Sequence, residues 1–216
     1  MNIDSYLQLM HTPSYRFSLL KRLARVSLLA VVGAVASADA LGAEPKEAKE
    51  AKEALAPPAF ARQALPEAVL WGQGQMRFLG LRIYDARLWV EPRFEAADFD
   101  AYPLALELTY HRAFTGAAIA QRSIEEIQRQ GDLAPMQAQR WLKALAAVLP
   151  DVQPGDRLTG IYQPGRGMRL WRGGELLGTI DDAELARRFF GIWLSPRTSE
   201  PGLRSALLTR QPGAGS

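Results

Sequence analysis

The chain is predicted to fold as an α+β domain in which an antiparallel sheet carries a layer of helices on one face. Three strand patterns come first, two helical patterns follow, and three further strand patterns precede two more helices. The chain lacks the regular strand–helix–strand alternation that builds a parallel sheet. Strands grouped before and after helices are typical of α+β proteins.

The first strands are rich in apolar and aromatic residues. Val69 to Leu79 and Leu81 to Val90 predict two strands, and Gly80 between them predicts a bend or bulge. Leu104 to Tyr110 predicts a third strand, because every second residue along it is apolar and would point to the same face.

Two helices should follow. Thr115 is a suitable N-cap for the first helix, and Gly131 is a suitable stop. The second helix ends at Pro150 and shows a strong amphipathic spacing. Its apolar face would comprise Ala138, Trp141, Leu142, Leu145, Val148 and Leu149.

The remaining elements are short. Arg157 to Tyr162, Met168 to Trp171 and Leu176 to Ile180 predict three strands joined by glycine-containing hairpin turns. Asp181 and Glu184 resemble a capping box at the start of a third helix, and Leu203 to Leu208 predicts a fourth. Four large aromatic residues on the helices would form core or the wall of a lipid pocket: Trp141, Phe189, Phe190 and Trp193.

Residues 1–38 are predicted to be a signal peptide. Four basic residues precede a short apolar run from Val26 to Val35, and Ala36-Ser-Ala38 matches the small-x-small cleavage pattern. We therefore expect a periplasmic protein with no stable membrane insertion after cleavage. The alternative is an N-terminal anchor that is never cut, although the run is short for a membrane span.

The rest of the chain divides into three segments. Residues 39–65 are predicted to be a linker rich in Lys, Glu, Ala and Pro, which acts as a spacer without an apolar face. Residues 66–209 are predicted to form the folded domain, and residues 210–216 a disordered tail. The leader carries all of the net positive charge, so residues 39–216 are neutral by formal count.

Composition excludes several classes of function. A neutral domain lacks the basic surface that nucleic-acid binding needs, so no nucleic-acid partner is expected. The chain has no cysteine and only two histidines, His11 and His111. Thiol catalysis and histidine-rich metal sites are therefore excluded, and no cofactor or metal is expected.

Charged residues interrupt the end of the first predicted strand and much of the second. Arg77, Arg82, Asp85 and Arg87 lie among apolar residues that would otherwise form a buried strand. Buried charges are costly unless they are paired, so this segment either lines a cavity with a polar rim or has one face in solvent. Asp85 is expected to pair with Arg82 or Arg87, and His111 to lie at the surface.

The same segment resembles the opening hairpin of the chalcone isomerase-like family, in its bacterial exported branch. The motif is Gly72-x-Gly-x-x-Arg77-(x)6-Tyr84-Asp-Ala-x-Leu-Trp89, and Arg187 to Arg197 with Leu203 to Leu208 is similar to the family's closing signature. The resemblance covers roughly residues 66–209. It implies an open-faced β-sandwich, in agreement with the α+β prediction.

The resemblance also implies candidate site residues. Tyr84 occupies a position where plant chalcone isomerases carry a catalytic Thr and fatty-acid-binding relatives a Tyr, and Arg77 is similar to the family's arginine for an anionic group. A bend near Gly80 would be needed to bring Arg77 to Tyr84. Arg82 is the rival because it would share a strand face with Tyr84.

Three functions are open: two are implied by the resemblance, and the third follows from the predicted linker. The first is non-catalytic binding of a small apolar ligand with an anionic end, such as a fatty acid. The second is isomerisation of a phenolic or enone substrate with Tyr84 as general acid and Arg77 as a clamp. This chain departs from the plant enzymes, because its only Asn is Asn2 and its only lysine after the linker is Lys143. The third is a structural adaptor in the cell envelope.

Overall fold

A computed structural model describes residues 56–210. The predicted signal peptide, most of the predicted linker and residues 211–216 of the predicted tail lie outside the described residues. The described part contains a sheet of six strands and four α-helices. Two short 3₁₀ turns, Ala61–Gln63 and Ala96–Ala101, were not predicted.

The sheet is a meander in which each strand pairs antiparallel with the next strand along the chain. Its order is β1-β2-β3-β4-β5-β6, and the predicted α+β class is confirmed. The strands are β1 (Val69–Phe78), β2 (Leu81–Val90), β3 (Leu104–Tyr110), β4 (Arg157–Gln163), β5 (Gly167–Arg172) and β6 (Glu175–Ile180).

Two helices lie between β3 and β4, and two follow β6. They are α1 (Gly116–Arg129), α2 (Pro135–Val148), α3 (Ala183–Leu194) and α4 (Pro201–Leu208). The Thr115 hydroxyl accepts from the Ala118 amide at 3.2 Å, as a helix N-cap does. All four helices pack against one face of the sheet or against each other.

The cap of α3 differs from the prediction by one residue. Asp182, not Asp181, accepts from the Leu185 amide at 2.9 Å. The other oxygen of Asp182 accepts from the Trp141 indole at 2.8 Å. Asp182 therefore caps α3 and also links it to α2.

The main core lies between the sheet and the helices. Trp141 is 2 % exposed and lies in this core, as the amphipathic pattern of α2 predicted. The first glycine of the Gly-x-Gly motif in β1 has a packing role. A Cβ at Gly72 would lie 2.2 Å from the carbonyl oxygen of Leu207. Glycine at this position allows α4 to lie against β1.

A smaller apolar cluster lies apart from this core. Ala61 and Leu65, inside the segment predicted as linker, are fully buried in it beside Trp89. Phe60 stacks on Trp171 with ring centroids 4.6 Å apart. The end of the predicted linker therefore belongs to the folded part, because its few apolar side chains cover Trp89 and its neighbours on the sheet.

The β1–β2 hairpin contains an irregularity that sets which side chains reach the core. Its turn is formed by Leu79 and Gly80, both with positive φ. Met76 pairs with Tyr84 and Arg77 pairs with Arg82, so Ile83 is an extra residue in β2. A bulge of this kind changes the alternation of side chains along a strand.

Candidate functional site

A cavity of about 120 Å³ lies between the sheet and the helices. It is lined by β1 to β5, by α1 and α3, and by the loop between α3 and α4. Most of its wall is aliphatic or aromatic, as is typical of small-molecule sites. The apolar lining consists of Met76, Ile83, Leu106, Leu108, Phe114, Ile119, Leu149, Leu158, Leu170, Phe189, Phe190 and Ile192.

Tyr84 lines the cavity, as a ligand-binding role requires. The indole nitrogen of Trp193 donates to the Tyr84 hydroxyl at 3.0 Å. Trp193 also lines the cavity and is 9 % exposed. Tyr84 is brought to this wall by strand alternation, because it shares a face of β2 with the buried Ala86 and Leu88. Trp193 is brought there by the apolar face of α3.

Tyr110 contributes a second hydroxyl to the cavity wall. It pairs with Tyr84 across β2 and β3, and the two rings meet edge to face with centroids 5.8 Å apart. Burial raises the pKa of the Tyr110 phenol, so the group stays neutral. Tyr110 lines the cavity, and its neutral phenol can both donate and accept a hydrogen bond.

A group of charged side chains forms the polar part of the cavity. Arg122 and Glu126 on α1 are an ion pair one helical turn apart, and Arg122 also contacts Glu125 at 3.2 Å. Glu126 is 5 % exposed. Arg129 lies 3.6 Å from the same Glu126 oxygen, so the carboxylate is held between two guanidinium groups.

Glu200 reaches the cavity from the loop between α3 and α4. Burial raises the pKa of Glu200, the negative charge of Glu126 raises it further, and Arg122 opposes both effects. Both carboxyl groups line the same cavity. Ser123 and Ser199 line the cavity beside them.

Arg77 and Arg82 do not line the cavity. Both side chains are exposed, and the two residues occupy opposite positions on the paired strands of the hairpin. Arg77 follows Met76, the residue paired with Tyr84, so its side chain lies on the other face of the sheet. The extra residue Ile83 places Arg82 on that other face too, so the expectation that Arg82 shares a strand face with Tyr84 was wrong. The ligand-binding role of the two arginines stays a prediction.

The charged residues of the hairpin form a network at the surface. Arg82 contacts Asp85 at 3.2 Å, which confirms the predicted ion pair, and His111 contacts the same oxygen at 2.8 Å. Arg77 donates to Gln75, which donates to Asp85 at 2.6 Å. Burial alone would raise the pKa of Asp85, but these hydrogen bonds and charges lower it below its ordinary value.

The sequence did contain a signal for the residues that were missed. Arg122, Glu126 and Glu200 were not predicted as site residues. Ser123 and Glu126 lie within the same helical stripe as Ile124 and Ile127, so a polar interruption of an apolar helix face marked this part of the cavity. Glu200 lies in a loop and carried no periodic signal.

Residues 56–210 offer neither a membrane-spanning helix nor a metal cluster. None of the helices there is long and apolar enough to cross a membrane. The same residues contain no group of three or more histidine, cysteine, aspartate or glutamate side chains placed to hold a metal ion.

Three comparisons place the fold among known proteins. A family model described as "Chalcone isomerase-like" matches residues 67–209. An uncharacterized protein of Haemophilus influenzae is 34% identical over 110 residues, which are 49% of this chain and 52% of that protein. The chain thus matches about half the length of this curated relative.

A solved structure is similar over most of its length. It is the fatty-acid binding protein AtFAP1 of Arabidopsis thaliana, with a TM-score of 0.52 and 12% sequence identity. The match covers 66% of this chain and 87% of the plant protein. At that identity the likeness establishes the fold.

Proposed function

The chain belongs to the chalcone isomerase-like family, and from this premise we propose that it binds a small, largely apolar ligand without catalysing a reaction. The observation that carries the proposal is the cavity, whose wall is mostly aliphatic and aromatic. Filling such a space with an apolar ligand is favourable, because it removes apolar surface from water.

A ligand with an acyl chain is the candidate we favour. The structurally similar plant protein is a fatty-acid binding protein, which supports a related use of the same fold here. The size of the cavity limits the enclosed part of the ligand. An engineered apolar cavity of roughly 150 Å³ binds benzene, so a space of about 120 Å³ encloses a short acyl segment, and a longer chain must continue through an opening.

The residues around the cavity favour binding over isomerisation. The resemblance to the plant chalcone isomerases implies a Tyr, a Lys and an Asn from the helical part of the cleft, and this chain has no Asn beyond Asn2. Lys143 lies on α2 and is exposed. The polar residues that line the cavity are Tyr84, Tyr110, Arg122, Ser123, Glu126, Ser199 and Glu200.

The binding proposal is tested by blocking the cavity. Ile119→Trp adds volume at a half-buried cavity residue on α1, and should abolish binding of octanol or octanoate measured by calorimetry. Leu142→Trp is the matched control, because Leu142 is a half-buried aliphatic residue on α2 that does not line the cavity. Unchanged binding in Ile119→Trp would contradict the proposal. Turnover of a chalcone substrate, followed by its absorbance, would favour the isomerase instead.

We also propose that the protein is exported and works in the periplasm, on the strength of the charged leader and the Ala36-Ser-Ala38 pattern. Intact-mass measurement of the periplasmic fraction should find a chain that starts near Asp39. Full-length chain found only in membranes would support the uncut anchor.

A further inference from the structure

The charges that line the cavity are unbalanced. Among the described residues, the lining holds two carboxyl groups, Glu126 and Glu200, and one guanidinium group, Arg122. All three belong to the segments that face the sheet across the cavity. Arg129, which also contacts Glu126, and Glu125, which also contacts Arg122, add one charge of each sign. A ligand's polar end placed there would therefore meet more negative than positive charge.

Arg122 is already engaged by partners on its own helix. Its side chain is 16% exposed, and it pairs with Glu126 and, at 3.2 Å, with Glu125. An ion pair of this kind, largely removed from solvent, keeps its partners together, because separating them leaves a buried charge. An incoming carboxylate would have to compete with Glu126 for the same guanidinium.

The opposite wall of the cavity offers hydroxyl groups instead of charge. Tyr84 and Tyr110 supply phenol oxygens, and Met76 is the residue paired with Tyr84. The tyrosine hydroxyls of the wall can donate and accept hydrogen bonds, whereas ionised glutamate carboxylates of the wall only accept them. The wall therefore suits a ligand whose polar end can itself donate a hydrogen bond.

We infer that the polar end of the ligand is an uncharged hydrogen-bonding group such as a hydroxyl, donating to the carboxyl group of Glu126 or of Glu200, and not the carboxylate of a fatty acid. This inference rests on the proposed binding function and specifies its ligand class. It reverses the anionic end that the resemblance implied, because the exposed Arg77 and Arg82 cannot meet a ligand inside the cavity. The raised pKa of Glu200 agrees with a site that disfavours further negative charge.

The test compares two ligands with the same chain length. Binding of 1-octanol and of octanoate to the purified protein is measured by calorimetry at pH 8, where octanoate is ionised. We expect octanol to bind at least about tenfold more tightly than octanoate, because the carboxylate of octanoate would meet excess negative charge in the cavity. Equal or tighter binding of octanoate would overturn the inference and leave the binding function standing. If neither ligand binds, the inference and the proposed binding function are both wrong.

Two substitutions examine the cause of the preference. Glu126→Gln removes one negative charge from the cavity wall, while Arg122 keeps its contact with Glu125. Octanoate affinity should therefore rise at least about tenfold relative to octanol affinity. Glu200→Gln, in the loop, should act in the same direction and covers the case in which Glu126→Gln fails to fold. Glu184→Gln is the control, because Glu184 forms an i,i+4 pair with Arg188 and does not line the cavity. Octanoate affinity that stays unchanged in both Glu126→Gln and Glu200→Gln would overturn the inference.

Discussion

The indole nitrogen of Trp193 donates to the hydroxyl of Tyr84 across 3.0 Å and so joins α3 to the β1–β2 hairpin. The two residues are 109 positions apart in the chain. Both line the cavity, so the bond fixes two sides of its wall in one arrangement.

A double-mutant cycle should detect this bond. Tyr84→Phe and Trp193→Phe each remove one partner, and the coupling free energy of unfolding should be about 0.5–1.5 kcal/mol, the usual net value of a hydrogen bond. Urea unfolding of the wild type, both single mutants and the double mutant gives the coupling. Strictly additive losses would show that the bond contributes nothing to stability.

Arg77→Ala and Arg82→Ala should leave the affinity for octanol within about twofold of wild type, since neither side chain lines the cavity. Their effect on stability should also be small, because surface ion pairs contribute only about 0–1 kcal/mol. Calorimetric titration of both variants checks the prediction. A large loss in either one would mean that the hairpin rearranges when the ligand binds.

The sequence predicted the elements well and the site less well, for a physical reason. Hydrophobic periodicity is a local property, so the boundaries of β2 and β3 and the apolar face of α2 could be read directly. The role of Arg82 depended on strand register, because the extra residue Ile83 puts Arg82 and Tyr84 on opposite faces of β2. The approach of Glu200 to Glu126 depends on tertiary packing of a loop, which leaves no periodic trace.

Gly72→Ala should destabilise the fold, because the added Cβ would lie 2.2 Å from the Leu207 carbonyl oxygen. Either α4 or β1 must move, and overpacking of this kind costs about 1–3 kcal/mol or more. Thermal unfolding measures the loss. Gly202→Ala on α4 is the control, since a Cβ there meets nothing within 4 Å. A neutral Gly72→Ala would show that α4 is held loosely.

Trp141→Ala should cost on the order of 3–5 kcal/mol, as removal of a buried aromatic side chain does. Trp141→Phe separates the packing from the hydrogen bond to Asp182, and should cost about 1.5–3 kcal/mol because the acceptor is charged. Urea unfolding of both variants gives the two contributions. A loss below about 1 kcal/mol for Trp141→Ala would contradict the assignment of this residue to the core.

Glu107 should make stability fall as pH rises above the acid range. It is a buried carboxyl group on β3, 6 % exposed, with the Thr159 hydroxyl 3.5 Å away. Burial raises its pKa above the ordinary value, and the charges of Arg157 and Arg87 oppose that shift only in part. The folded state therefore holds the proton at a pH where the unfolded chain has released it.

The sign of the effect follows from this difference. Below the ordinary pKa both states are protonated and Glu107 carries no penalty, while above its folded-state pKa the full penalty of a buried charge is present. Glu107→Gln removes the ionisation, so the variant should be more stable than wild type at neutral pH and the difference should shrink on acidification. Urea unfolding between pH 4 and pH 8 measures it, with Glu175→Gln, an exposed site on β6, controlling for the loss of one charge. A variant that is less stable than wild type at neutral pH would show that Arg87 and Arg157 stabilise the ionised carboxylate more than burial destabilises it.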